Sequence, residues 1–117
     1  MDDALLDCLI IGGGAAGLTA AVYMGRYQRR ALVLDDGGSR LQWIPRTRNV
    51  PGFPDGIEGP DLLARMRQHA ANYGMRTEHT RVERLLQLDD GSFRAESAEA
   101  VVAAIPLNAR AVRPAAE

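Results

Sequence analysis

The run Leu9-Ile10-Ile11-Gly12-Gly13-Gly14-Ala15-Ala16-Gly17-Leu18 stands almost at the start of the chain and leaves few ways to fold the residues beyond it. Residues 7 to 12 are apolar without alternation, the pattern of a parallel strand covered on both faces. Glycines then turn the chain into a segment whose Leu18, Ala21, Val22 and Gly25 recur at helical spacing, predicting a helix over 15–28. Arg26, Arg29 and Arg30 mark its solvated end, where cations suit the helix dipole. A second apolar run over 31–35 ends in Asp35, 18 residues after Gly17. Strand, glycine turn, helix, strand and acidic residue in this order form a dinucleotide-binding fingerprint. Gly12 permits the sharp turn, Gly14 leaves the backbone open to a pyrophosphate at the helix N-terminus, and Gly17 lets the helix pack closely on the strands. Asp35 can accept hydrogen bonds from ribose hydroxyls. Its charge would repel a 2′-phosphate, which favours FAD or NAD over NADP. Two alternatives stay open at this point: Asp35 caps a loop, or the register is off by one and Asp36 takes its place.

Size and charge narrow the remaining classes. A chain of 117 residues fits one domain with a real core. Its net charge of −1 supplies no field to attract nucleic acid or acidic lipid. Residues 5 to 11 are too short and too acidic for a signal peptide or a membrane span, so a cytoplasmic location is expected. The only cysteine, Cys8, excludes an internal disulfide, a CxxC dithiol or a four-cysteine zinc site within these residues. Inside the first strand it reads as a small buried hydrophobe.

Residues 36 to 59 have no helical or strand period and are rich in glycine and proline, while Trp43, Ile44, Val50 and Phe53 argue that they are ordered. A helix comes next, with Gly59 near its cap, Pro60 in its first turn, Leu62, Leu63, Met66, Ala70 and Tyr73 as its buried stripe, and Gly74 at its end. Residues 75–80 predict a third parallel strand, and 82–88 with 92–97 a hairpin turned by Asp89-Asp90-Gly91. The apolar run 98–105 reads as a last strand. No pattern marks 106–117, which divides the chain into a partial domain over 1–105 and a tail. His69 and His79 have no ligand partner at metal spacing and read as structural or exposed. Trp43 reads as ordinary packing, with a cover over a bound ring as the alternative.

Three segments together resemble the N-terminal part of the FAD domain of the thioredoxin reductase-like flavoproteins, in the pyridine nucleotide-disulfide oxidoreductase superfamily. They are residues 11 to 18, Asp35-Asp36-Gly37-Gly38, and Asn49-Val50-Pro51-Gly52-Phe53-Pro54-Asp55-Gly56-Ile57 followed by Gly59. The resemblance implies an α/β fold: a Rossmann-like FAD/NAD(P)-binding domain with a parallel sheet, flanking helices and an added antiparallel hairpin. It implies FAD as cofactor, with Ala15 and Ala16 at the helix start and Gly38, Ser39, Arg40, Leu41 and Asn49 among its contacts. For Asn49, Pro51 and Gly52 turn chemistry is the competing explanation. It also implies an FAD-dependent oxidoreductase that uses NADPH or NADH in a full-length parent. Departures are equally clear: these residues hold no second glycine fingerprint, no CxxC and no C-terminal Gly-Asp segment, and Ala104-Ile105-Pro106 replaces the expected Ala-Thr-Gly turn. The expectation is therefore a truncated flavoenzyme piece, inactive alone, with a second copy or a complementing chain as its protein partner. A small non-catalytic dinucleotide-binding module and a remnant that binds nothing are the alternatives.

Overall fold

The computed structural model describes residues 6–98, 101–105 and 110–112. Its elements are β1 (Cys8–Ile11), α1 (Ala15–Arg26), β2 (Ala31–Asp35), a 3-10 turn (Arg40–Trp43), α2 (Gly59–Asn72), β3 (Arg76–His79), β4 (Arg84–Gln87), β5 (Phe93–Glu96), β6 (Val101–Ile105) and β7 (Arg110–Val112). Strands β3-β2-β1-β7, in that order, form a parallel sheet, and β4-β5-β6 an antiparallel one. The fold is Rossmann-like: β1 lies beside β2 and β3 on one flank and takes β7 on the other, so the strand order reverses at β1. Ligands of such sheets bind outside the carboxyl ends of the strands at that reversal.

Successive residues of β1 point to opposite faces, and each face has its own core. Cys8 and Ile10 pack with Leu18, Ala21 and Val22 of α1, Ala31 and Val33 of β2, and Leu63 and Ala70 of α2. Leu9 packs with Leu6, Leu32, Leu34 and Ala95 of β5, and with the partly buried Val82, Leu85 and Phe93. Helices therefore cover one side of the parallel sheet and the antiparallel sheet covers the other. This double covering is why the first two strands show no polar alternation.

The expected elements recur with shifted ends. Helix α1 stops at Arg26 because Gln28 takes a left-handed conformation (φ 58°), which leaves Arg29 and Arg30 beyond the helix. Arg30 instead pairs with Asp7: its N–H donates to the Asp7 carboxylate at 2.9 Å. In α2, Leu62, Leu63 and Ala70 are buried and Met66 partly so, but Tyr73 is the C-terminal cap and 42% exposed. Its Cβ stands where a side chain on Gly25 would go, so the two helices touch there. The hairpin forms, with Leu85 opposite Ala95, and is widened by β6, so the apolar run enters the antiparallel sheet instead of closing the chain's strands. Within 106–117, Arg110–Val112 form β7, parallel to β1 with Cys8 opposite Arg110. Three residues of mixed character carry no strand signal of their own, and the partner strand supplies it. The remaining residues of 106–117 lie outside the described residues.

Candidate functional site

Gly12 follows β1 directly, and its N–H donates to the Leu34 carbonyl at 2.8 Å, which extends the β1–β2 ladder into the turn. It then adopts φ 104°, a conformation that a side chain would oppose, and the chain reverses into α1. Gly17 sits under that reversal: a Cβ there would overlap the Gly12 carbonyl oxygen and press on the Ile10 side chain. The contact it permits is thus helix on loop as well as helix on strand.

Gly14 is the N-cap of α1 and offers no side-chain cap, and the first turn holds no acidic residue. The amides of a first helical turn have no partner inside the helix and carry the positive end of its dipole. Here that end opens into a cavity of about 870 Å³. One wall is Gly12, Gly13, Gly14, Ala15 and Ala16, and the other is Gly38, Ser39, Arg40, Leu41, Trp43 and Ile44, with Asp35 and Asp36 between them.

Asp35 ends β2 and is only 7% exposed. Gly13 N–H donates to its Oδ1 at 3.1 Å, and a Cβ on Gly13 would lie 2.6 Å from its carboxyl carbon. The carboxylate therefore braces the glycine loop as well as facing the cavity. Asp36 is exposed and accepts from the Gly38 N–H at 2.8 Å, a local turn bond. Across the cleft, Ser39 Oγ accepts from the Leu41 N–H at 3.3 Å and caps the 3-10 turn, while Gln42 Nε2 donates to the Gly37 carbonyl at 2.8 Å.

Of the residues expected from sequence, Gly12, Gly14, Ala15, Ala16, Asp35, Asp36, Gly38, Ser39, Arg40 and Leu41 stand around one cavity. Gly17 lies beneath it. Asn49 does not line it: its Oδ1 accepts from Thr47 Oγ1 at 2.6 Å, within a turn closed by the Thr47–Ile57 bridge. Trp43 is 76% exposed on the cavity wall, not packed in the core. Gly13 and Ile44 line the cavity and were not expected; nor was Arg67, which is outside the lining but places its Nη2 3.8 Å from Asp35 Oδ2. Gly13 was legible from its place between two motif glycines. Arg67 was not, because it meets Asp35 from a helix far along the chain and nothing local to it differs from an ordinary solvated arginine.

The cavity offers backbone donors, one buried carboxylate, a hydroxyl and apolar surface. That set fits the pyrophosphate and ribose of a dinucleotide. Cys8 and both histidines lie outside the cavity lining. Cys8 is buried, and burial, helped by the neighbouring Asp7 charge, pushes its thiol pKa up. His69 is exposed and lies against Tyr73 with 5.7 Å between ring centres and the rings tilted by 38°, and His79 is exposed at the end of β3. Among the described residues no cluster could hold a metal ion, and no helix is long and apolar enough to cross a membrane.

Comparison with known proteins points one way. The chain is 42% identical over 72 residues to NADPH-dependent thioredoxin reductase 3 of Arabidopsis thaliana, covering 56% of this chain and 14% of that protein. It is 42% identical over 69 residues to the thioredoxin reductase of Mycolicibacterium smegmatis, covering 57% of this chain and 22% of that one. Its fold matches a thioredoxin reductase from Gloeobacter violaceus with a TM-score of 0.78 at 27% identity, over 89% of this chain and 34% of that one. An atypical thioredoxin reductase from Desulfovibrio vulgaris Hildenborough matches with a TM-score of 0.74 at 32% identity, over 86% and 34% of the two chains. No protein-family model matches. The chain thus spans about a third or less of these relatives.

Proposed function

From a chain that is thioredoxin reductase-like in sequence and fold, we propose that the cavity at the carboxyl ends of β1 and β2 holds the ADP half of FAD, and that these residues are the FAD-binding portion of an NAD(P)H-dependent flavoprotein oxidoreductase. The observation that carries this reading is the uncapped start of α1, opening into a cavity that also holds the buried Asp35. The amides of the first turn bind the pyrophosphate, and Gly14 lets it approach the backbone. Asp35 accepts from the ribose. Leu41, Trp43 and Ile44 give the far wall an apolar surface that excludes water from a bound ring. When bound, the isoalloxazine supplies the hydride chemistry, and the protein sets its position. With one cysteine, held as a thiol by burial, the 117 residues contribute no dithiol to that chemistry.

Titration of the chain with FAD, followed by flavin fluorescence, tests this directly. Saturable quenching is expected, and Gly14→Val is expected to abolish it. A Cβ on Gly14 meets only Ser39, with Oγ at 3.4 Å, so the larger residue obstructs the ligand more than the fold. Equal curves for the two proteins would remove the fingerprint from the binding site. A second reading, a non-catalytic module that grips NAD or FAD by its adenosine half, draws on the clustering of backbone donors at the glycine loop. Saturable NAD binding without any response to FAD would select it.

A further inference from the structure

We propose that Trp43 is the platform on which the second ring of the bound dinucleotide stacks, and that it gives the site its preference for a ligand ending in the tricyclic isoalloxazine. The proposal rests on the nucleotide reading above and adds to it the residue that tells FAD from ligands sharing only its ADP half. The cavity is ordered along the glycine loop: Asp35 stands against Gly13, and Ser39 against Gly14, where a Cβ would lie 3.4 Å from the Ser39 Oγ. With the ribose on Asp35 and the pyrophosphate at the start of α1, the other half of the ligand continues past Ser39 onto the 3-10 turn that Ser39 caps and Trp43 ends.

That turn is anchored from three sides. Ser39 Oγ accepts from the Leu41 N–H, Gln42 Nε2 donates to the Gly37 carbonyl, and the start of α2 lies beneath, with the Gly59 N–H donating to the Ile44 carbonyl at 2.9 Å. Gly59 permits this approach, because a Cβ there would overlap the Leu41 carbonyl oxygen. The backbone is thus fixed while its largest side chain stands in the open. Trp43 lines the cavity, is 76% exposed, and has no hydrogen bond or ring partner among the described residues. Tryptophan is on average a well-buried residue, so an indole held at a cavity wall by an anchored turn is a preorganised stacking face. Leu41 and Ile44, both half-buried, extend that apolar face within the same wall. Three fused rings can cover an indole, whereas a terminal ribose cannot.

The test uses the 117-residue chain, whose single tryptophan reports on the contact directly. FAD and ADP-ribose share the ADP half, and only FAD carries a ring at the far end. Calorimetric titration should show FAD bound at least about tenfold more tightly than ADP-ribose, and Trp43→Ala should bring the two within about threefold by weakening FAD alone, the size of one lost aromatic stacking contact. Trp43→Phe, which keeps a ring, should retain most of the preference. FAD should quench Trp43 emission, corrected for light absorbed by the ligand, and ADP-ribose should leave it unchanged. An unaltered preference in Trp43→Ala overturns the inference. So do an equal loss for both probes, a Trp43→Phe variant no better than alanine, or quenching by ADP-ribose, which would put adenine on the indole. If wild type binds ADP-ribose with no preference for FAD, only the role of Trp43 fails. If it binds neither probe, the nucleotide reading fails and takes this inference with it.

Discussion

Strands β1 and β2 show almost nothing to solvent, with Leu9, Ile10, Leu32 and Val33 at 0% exposure, whereas of the eight residues in β4 and β5 only Ala95 is buried. The antiparallel sheet instead carries Arg84 and Arg94 on either side of Glu96, at 3.7 and 3.6 Å from its two oxygens. Yet both sheets close the same core, one from each side of Leu9 and Leu32. The residues around the cavity lie at the end of β2 or in the segments that follow β1 and β2, and among the described residues the antiparallel sheet supplies none. The difference teaches where a binding loop can be held still. Strand ends fixed by burial on two faces leave the loop between them little freedom, while a half-solvated cover serves only to keep one of those faces dry.

The sharpest way to break this contrast is Gly17→Ala. Its new Cβ would collide with the Gly12 backbone, which cannot give way as a flexible side chain can, so a loss above about 3 kcal/mol in urea unfolding is expected. A loss below about 1 kcal/mol would mean that the loop is soft after all. Leu32→Ala should cost about 2–5 kcal/mol, because Leu32 is fully enclosed between the two layers. A smaller effect would show that the antiparallel cover collapses into the gap. The third prediction is alkaline. The pKa of Cys8 is raised on folding, so the stability tied to its neutral thiol is complete below the ordinary thiol range and is lost as pH rises through the raised value. Urea midpoints from about pH 7 to 10 should therefore fall more steeply for wild type than for Cys8→Ala. Parallel slopes would place the thiol in contact with water. Smallest of all should be Glu96→Gln, which removes two long ion pairs from half-solvated arginines and should cost under about 1 kcal/mol by thermal unfolding. A larger loss would raise the antiparallel sheet from cover to keystone.

Much of this arrangement was legible because its signals are local. The glycine run, the apolar strands and Pro60 each dictate backbone geometry within a few residues, and so β1, α1, β2 and α2 appear where the chain predicts them. What was illegible depends on distant partners. Arg110–Val112 become a strand only because β1 offers a free edge, and Tyr73 leaves the buried stripe because α2 ends one residue earlier. Asn49 belongs with them: its segment carries the resemblance, while its side chain accepts from Thr47 within the loop, the turn chemistry that the sequence offered as the alternative. Trp43 misled, since a large apolar side chain reads as core until the cavity beside it is seen.

The contact between Gly13 and Asp35 also sets an order on how these two positions can diverge. A Cβ at position 13 would stand 2.6 Å from the carboxyl carbon of Asp35 and 2.9 Å from its Cβ. A lineage that gained alanine at 13 first would pass through a clash against a buried strand end, while one that first shortened residue 35 to glycine would leave room for the second change. The two positions are thus epistatic: a Cβ at 13 requires the Asp35 side chain to shift, and a smaller residue at 35 removes that requirement.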